Sequence, residues 1–126
     1  MYIEDGYTRT ATVPKVDDST PEFEISYRPI LHGERGRLAI GTHQANQSGD
    51  NDRMLEWEQR TVATIHKAIQ SWTLKDSNGR AIKPTVETIR RLDAAQYQAV
   101  YDFVCGYAVP KSEKEDDSDA TADLKN

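Results

Sequence analysis

The sequence predicts an α+β domain in which an N-terminal β-hairpin precedes a small bundle of three to four α-helices. Two observations support this class. Residues 22–28 alternate apolar and polar side chains with the period of two that is typical of a half-buried strand. Residues 52–72 repeat apolar side chains at spacings of three, four and seven, which indicates a helix packed on one side. We expect residues 1–109 to form this single domain, a size that can bury a modest core.

Two strands are predicted ahead of the first helix. Residues 7–13 are rich in Thr, Tyr and Val and stop at a proline, which favours a strand. Residues 15–21 are polar and bounded by prolines, so they predict a loop. The second strand covers residues 22–28, and the short connection makes the pair a hairpin that needs helices to cover it. Its inward-facing residues are expected to be Phe23, Ile25 and Tyr27.

The segment after the hairpin allows two interpretations. Its periodicity favours a helix over residues 34–45. Gly33, Gly36 and Gly41 fall in or beside that helix, and each Gly costs roughly 1 kcal/mol relative to Ala within a helix. The glycines can instead permit close approach of another backbone. Their spacing, with no Gly-Lys-Ser or Gly-Lys-Thr after them, excludes a phosphate-binding loop.

The longest helix-compatible run starts near Asp52, after a short linker, and extends for about 21 residues or roughly 30 Å. Asp50 or Asp52 is a suitable N-cap. The run is followed by a turn at Lys75–Gly79, where Gly79 accommodates a positive φ at low cost. The apolar stripe expected to face the core consists of Leu55, Val62, Ile65, Ile69 and Trp72.

Two further helices are predicted near the C-terminal end of the domain. The first covers residues 85–92, because Pro84 suits a helix start. The second follows Asp93 as N-cap, with Gln96 completing a capping box, and ends at Gly106. Residues expected to face inward are Val86, Ile89 and Leu92 in the first helix, and Gln96, Val100, Phe103 and Val104 in the second, with Tyr97 and Tyr101 beside them.

Residues 110–126 predict a disordered acidic tail. They contain no aromatic residue, a single Leu and a cluster of Glu, Asp and Ser. Such a composition cannot bury enough apolar area to offset the entropy of ordering the chain. Two roles remain open, a solubilising tail and an acidic arm that docks a partner.

The charge distribution gives little support to a nucleic-acid partner. The net charge is −5, with a mildly basic middle between acidic ends. A general nucleic-acid binder usually has a denser basic face. The one basic cluster, formed by Arg80, Lys83, Arg90 and Arg91, has no aromatic residues interleaved as in single-strand binders.

The sequence carries no signature of catalysis or of metal binding. His32, His43 and His66 are far apart and fit no paired-ligand spacing. Cys105 is the single cysteine, and its place near a helix C-terminus disfavours the thiolate. The Asp76–Gly79 turn lacks the flanking carboxylates that a calcium loop requires. We therefore expect a protein that is not an enzyme and that has no cofactor and no metal.

The sequence also predicts a protein of a reducing, cytoplasmic compartment. No segment approaches the ~20 apolar residues of a membrane span, and the first ten residues lack the pattern of a secretory signal. A lone cysteine cannot form an intramolecular disulfide, which fits the same compartment.

The order of several short motifs carries more information than any single site. The motifs are Tyr27-Arg28-Pro29, Glu34-Arg35, Ser71-Trp72-Thr73-Leu74, Asp76-x-Asn78-Gly79, Pro84-Thr85-x-Glu87, and Leu92 with Tyr97. Over about residues 20–106 their order resembles that of the small tail assembly chaperones of long-tailed bacteriophages. The three glycines of the second element are a departure from that family's pattern.

The resemblance implies a protein without catalytic activity in the cytoplasm of a bacterial host. Chaperones of that family bind the tape-measure protein, keep its long helices soluble and recruit tail-tube subunits. The candidate partner contacts are Trp57, Trp72, Tyr97 and Tyr101; ordinary packing within the domain is the alternative role for them.

Two other classes of function stay open. One is a head–tail connector or tail-completion subunit that assembles into a ring and remains in the particle. The other is a small nucleic-acid-binding regulator that uses residues 28–91. Self-association is also left open by the sequence.

Overall fold

The computed structural model describes residues 7–110, and the α+β class is confirmed over this range by a three-stranded antiparallel sheet and four helices. The tail predicted over residues 110–126 lies outside the described residues except for Pro110. In chain order the elements are β1 (Arg9–Val13), β2 (Phe23–Tyr27), α1 (His32–Ser48), α2 (Asn51–Ala68), β3 (Ile69–Trp72), α3 (Val86–Arg90) and α4 (Ala94–Cys105).

The predicted hairpin is confirmed, and it is the larger part of a sheet with the order β1-β2-β3. β1 and β2 pair antiparallel, with Arg9 opposite Tyr27 and Val13 opposite Phe23. The three residues expected to face inward from β2 are all buried. β3, which the sequence did not predict as a strand, pairs with the other edge of β2 and makes β2 the central strand.

The long helix was predicted to reach Trp72, and this prediction is wrong because α2 ends at Ala68. The backbone is already extended at Ile69 and continues as β3. The Thr73 amide donates to the Glu24 carbonyl at 2.9 Å, so the segment satisfies the open edge of β2. Helical periodicity takes no account of the hydrogen bonds that an unpaired strand edge offers, and here those bonds decide the structure.

Only the second half of α2 reaches the core of the domain. Val62 and Ile65 are buried as predicted and pack with Ala68 against the sheet. Leu55, assigned to the same stripe by its spacing, is 51% exposed. Its assignment to the core was wrong because the contacts of α2 with the core begin two turns later.

α1 and α2 form a helical hairpin, and Gly49 and Asp50 make the turn between them. The helix predicted over residues 34–45 is confirmed and extends from His32 to Ser48. Gly49 then adopts the left-handed conformation, with φ of 67°. The Asp50 carboxylate caps α2 by accepting from the amide of Asp52 at 2.9 Å, which is one of the two caps predicted.

The last two helices begin at caps, of which only one was predicted. The capping box belongs to α3, where Thr85 and Thr88 exchange side-chain and backbone hydrogen bonds. Ile89 is fully buried, whereas Val86 is 38% exposed, contrary to the prediction, because this five-residue helix presents only one side to the core. α4 starts as predicted at Asp93, whose carboxylate accepts from the Ala95 amide at 2.9 Å.

Gln96 was predicted to complete a capping box on α4, but its amide instead ties α4 to the β1–β2 loop. The Nε2 atom donates to the carbonyls of Pro14, Thr20 and Pro21 at 3.2, 3.3 and 3.0 Å. Gln96 is 4% exposed, so its amide has little access to water. Because a buried amide without acceptors is costly, these tertiary bonds are more valuable to the fold than a cap at a solvated helix end.

One core lies between the inner face of the sheet and the helices α2, α3 and α4. The buried core residues are Ala11, Val13, Phe23, Ile25, Tyr27, Val62, Ile65, Ala68, Ile69, Ile89, Val100 and Val104.

Within residues 7–110, no helix combines the length and the apolar character that crossing a membrane requires.

Candidate protein-binding cleft

A cleft of about 230 Å³ opens where α1, α2 and α4 meet. α2 packs against both of the other helices and contributes the middle of the lining. The surface of the cleft is mostly apolar, and three of its lining side chains are aromatic. Its lining residues are Thr42, Ala45 and Asn46 from α1, Met54, Trp57, Glu58 and Thr61 from α2, and Tyr97, Gln98 and Tyr101 from α4.

Trp57 is held in place by α1. Its indole N–H donates to the Thr42 hydroxyl at 3.0 Å, and the guanidinium carbon of Arg60 lies 6.0 Å from the ring centroid. The six-membered ring occupies the space that a Cβ on Gly41 would need. This glycine therefore permits a close approach, as one interpretation of the sequence allowed, although the approaching group is a side chain and not a backbone.

Replacement of Gly41 by Ala is expected to destabilise the domain by about 1–3 kcal/mol, because the new methyl group overlaps the indole of Trp57. Gly36→Ala is the matched control, since no atom lies within 4 Å of a Cβ built at that helical position. The control should gain roughly 0.5–1 kcal/mol from helix propensity. Urea denaturation of both variants measures the difference, and equal shifts of the two midpoints would contradict the packing described here.

Tyr97 and Tyr101 form the α4 side of the cleft and remain uncharged at physiological pH. Burial, with the negative charge of Glu58 as a second cause, raises the pKa of Tyr97 to about 12. Burial likewise raises the pKa of Tyr101 to about 12. Tyr101 also stacks on Tyr107, with ring centroids 6.1 Å apart. The two phenols thus present apolar rings and neutral hydroxyl groups to anything that enters the cleft.

Cys105 lies behind this surface and is a packed thiol. It is buried, and burial raises the pKa of its thiol to about 11, although a hydrogen bond with Tyr101 acts in the opposite direction. The thiol is therefore protonated at neutral pH and is a poor nucleophile. Among residues 7–110, no three side chains of the His, Cys, Asp and Glu types come together in a way that would hold a metal ion.

The structure brings together three of the four aromatic residues that the sequence singled out. Trp72 lies elsewhere: its ring packs edge-on against Phe23 at 5.7 Å, and its indole N–H donates to the Ile82 carbonyl. No pattern in the sequence indicates that Met54 and Asn46 share a surface with the aromatics. Their proximity depends on how α1 folds back on α2, where Trp57 packs on Gly41 and donates to Thr42.

Comparison of the chain with protein-family models, with curated proteins and with solved structures found no match.

Proposed function

We propose that this protein is a non-catalytic assembly chaperone that holds an amphipathic helix of a partner protein in the aromatic cleft. The observation that carries the proposal is the convergence of Trp57, Tyr97 and Tyr101 on one partly exposed surface between three helices. Aromatic side chains in such a position are typical of protein-binding sites. The resemblance to tail assembly chaperones of long-tailed bacteriophages suggests the partners, a tape-measure protein first and tail-tube subunits later.

The dimensions of the cleft favour a helix as the bound element. Its lining on α2 runs from Met54 to Thr61, a length of roughly 10 Å or two helical turns. A partner helix of two turns inserts side chains at positions i, i+3 or i+4, and i+7. The volume, about 230 Å³, is below the roughly 300–1,000 Å³ of typical small-molecule sites. It suits two or three aliphatic side chains better than a cofactor.

The chemistry of the lining favours a tolerant binding surface. Met54 is flexible and polarisable, so it adapts to side chains of different shape. The neutral tyrosines add contact area at a small cost in conformational entropy. A chaperone that keeps a long helical protein soluble needs this kind of tolerance, because the successive turns of its partner differ in sequence.

The proposal is tested by co-expression with the tape-measure protein of the same phage, followed by affinity purification. We expect the two proteins to be recovered as one soluble complex. Asn46→Arg places a long charged side chain on the lining of the cleft and should weaken binding at least tenfold, by about 1.4 kcal/mol or more. Gln47→Arg is the matched control, because it adds the same charge at the next, exposed position of α1, outside the lining.

Three results would contradict the proposal. The first is the absence of a complex with the tape-measure protein. The second is equal binding by the Asn46→Arg and Gln47→Arg variants, which would place the partner on another surface. The third is assembly of the isolated protein into a stable ring, which would favour a connector or tail-completion subunit.

A further inference from the structure

β1 is an edge strand of the sheet that residues 7–110 form. Among these residues its only strand partner is β2, because the sheet order is β1-β2-β3. α4 packs on β1, and Ala11 and Val13 are buried in the core. Thr10 and Thr12 point to the exposed face. An edge strand of this kind leaves one row of backbone donors and acceptors available for pairing with another chain.

The β1 edge has few of the usual features that prevent such pairing. Between Arg9 and Val13 there is no proline, no lysine and no acidic residue, and the five-residue ladder with β2 is regular. The other edge of the sheet is different. β3 has four residues, and its pairing with β2 is interrupted by an irregularity at Ser26 and Tyr27. Of the two edges, β1 is therefore the better template for an added strand.

We propose that β1 pairs antiparallel with β1 of a second copy of this chain, about a two-fold axis at Ala11. In that register Ala11 lies opposite its own counterpart, and Thr10 lies opposite Thr12 of the second copy. Arg9, the one charged residue of the strand, lies opposite Val13 of the second copy and not opposite another arginine. The strand is thus complementary to itself in charge and in size, with threonine pairs on the exposed face.

Pairing at this edge joins two sheets into one of six strands. None of the cleft residues belongs to β1. The interface is small, so we expect reversible association with a dissociation constant between about 1 µM and 1 mM. The inference does not depend on the proposed function, because the two rest on different residues.

Sedimentation equilibrium over that concentration range tests the inference. The wild-type chain should show a monomer–dimer equilibrium. The double variant Thr10→Lys/Thr12→Lys places two like-charge pairs across the two-fold axis and should raise the dissociation constant at least about tenfold. The matched control is Gln70→Lys/Ser71→Lys, which adds the same charge at exposed positions of β3 and should leave the equilibrium unchanged.

A charge-reversal experiment separates loss of pairing from loss of folding. The double variant Thr10→Glu/Thr12→Glu should be as monomeric as the double lysine variant. An equimolar mixture of the two should form a mixed dimer, because every Thr10–Thr12 pair then joins opposite charges. The inference is overturned if the wild-type chain is monomeric up to about 1 mM. A double lysine variant that dimerises like the wild type, or a mixture that stays monomeric, overturns it equally.

Discussion

Replacement of Gln96 by Glu should destabilise the protein by about 3–5 kcal/mol at neutral pH, because it leaves a charge buried without a partner. The amide of Gln96 donates to three backbone carbonyls and is 4% exposed. A carboxylate at this position brings negative oxygens towards three carbonyl oxygens and has no proton to donate. The hydrogen bonds between α4 and the β1–β2 loop are then replaced by electrostatic repulsion.

The same variant should lose stability as the pH rises. Burial and the facing carbonyls hold the pKa of the new carboxyl group above its unfolded value of about 4.3. Below the unfolded pKa the group is protonated in both states, so the charge penalty is absent. The penalty grows with pH through the interval between the unfolded and the folded pKa and is complete above the folded pKa.

Chemical denaturation at several pH values measures this dependence, and Gln96→Met is the control. Methionine keeps the length of the side chain and removes the donor without adding a charge. We expect that control to lose about 1–3 kcal/mol at all pH values. If the Glu variant is no less stable than the Met variant at neutral pH, Gln96 does not have the role that its three contacts indicate.

Truncation of Ile65 to Ala should cost about 2–5 kcal/mol, whereas truncation of Leu55 to Ala should cost less than about 0.5 kcal/mol. Both residues lie on α2, and both belong to the apolar stripe that the sequence predicts. In the structure Ile65 is 0% exposed and belongs to the central core, while Leu55 is 51% exposed. The Ile65 variant leaves a cavity in a packed core. The Leu55 variant removes methyl groups that are already about half exposed to water.

Thermal and urea denaturation of the two variants give the comparison directly, since each change leaves an alanine in the same helix. The leucine variant serves as the control for effects of helix propensity. Similar losses for the two variants would mean that the first half of α2 is buried, contrary to the fold described above.

The sequence was sufficient to assign the features that depend on neighbouring residues, and insufficient for those that depend on distant ones. The strand pattern of residues 22–28 and the caps at Asp50 and Asp93 were assigned correctly, because a strand period or a cap depends on residues close together in the chain. β3 was missed because it depends on contacts between residues far apart in the chain. The bond between the Glu24 amide and the Thr73 hydroxyl joins residues 49 positions apart.

The cleft likewise was only partly predictable from the sequence. The sequence selected Trp57, Tyr97 and Tyr101 as candidate partner contacts, but it also selected Trp72, which packs on Phe23 of the sheet. Whether such an aromatic lines the cleft or packs on the sheet depends on what lies opposite it in the folded chain. That information is carried by contacts such as the one between Gly41 and Trp57, which no local pattern encodes.

The sequence by itself determined the α+β class, the hairpin, the existence of the helices and the caps that start α2 and α4. The tertiary structure alone decided that α2 gives way to β3, that Gln96 binds the β1–β2 loop and that three aromatics share one cleft. The physical reason is the range of the interactions. Periodicity and capping act within a few residues, whereas the open edge of β2 and the buried amide of Gln96 find their partners only when distant segments meet.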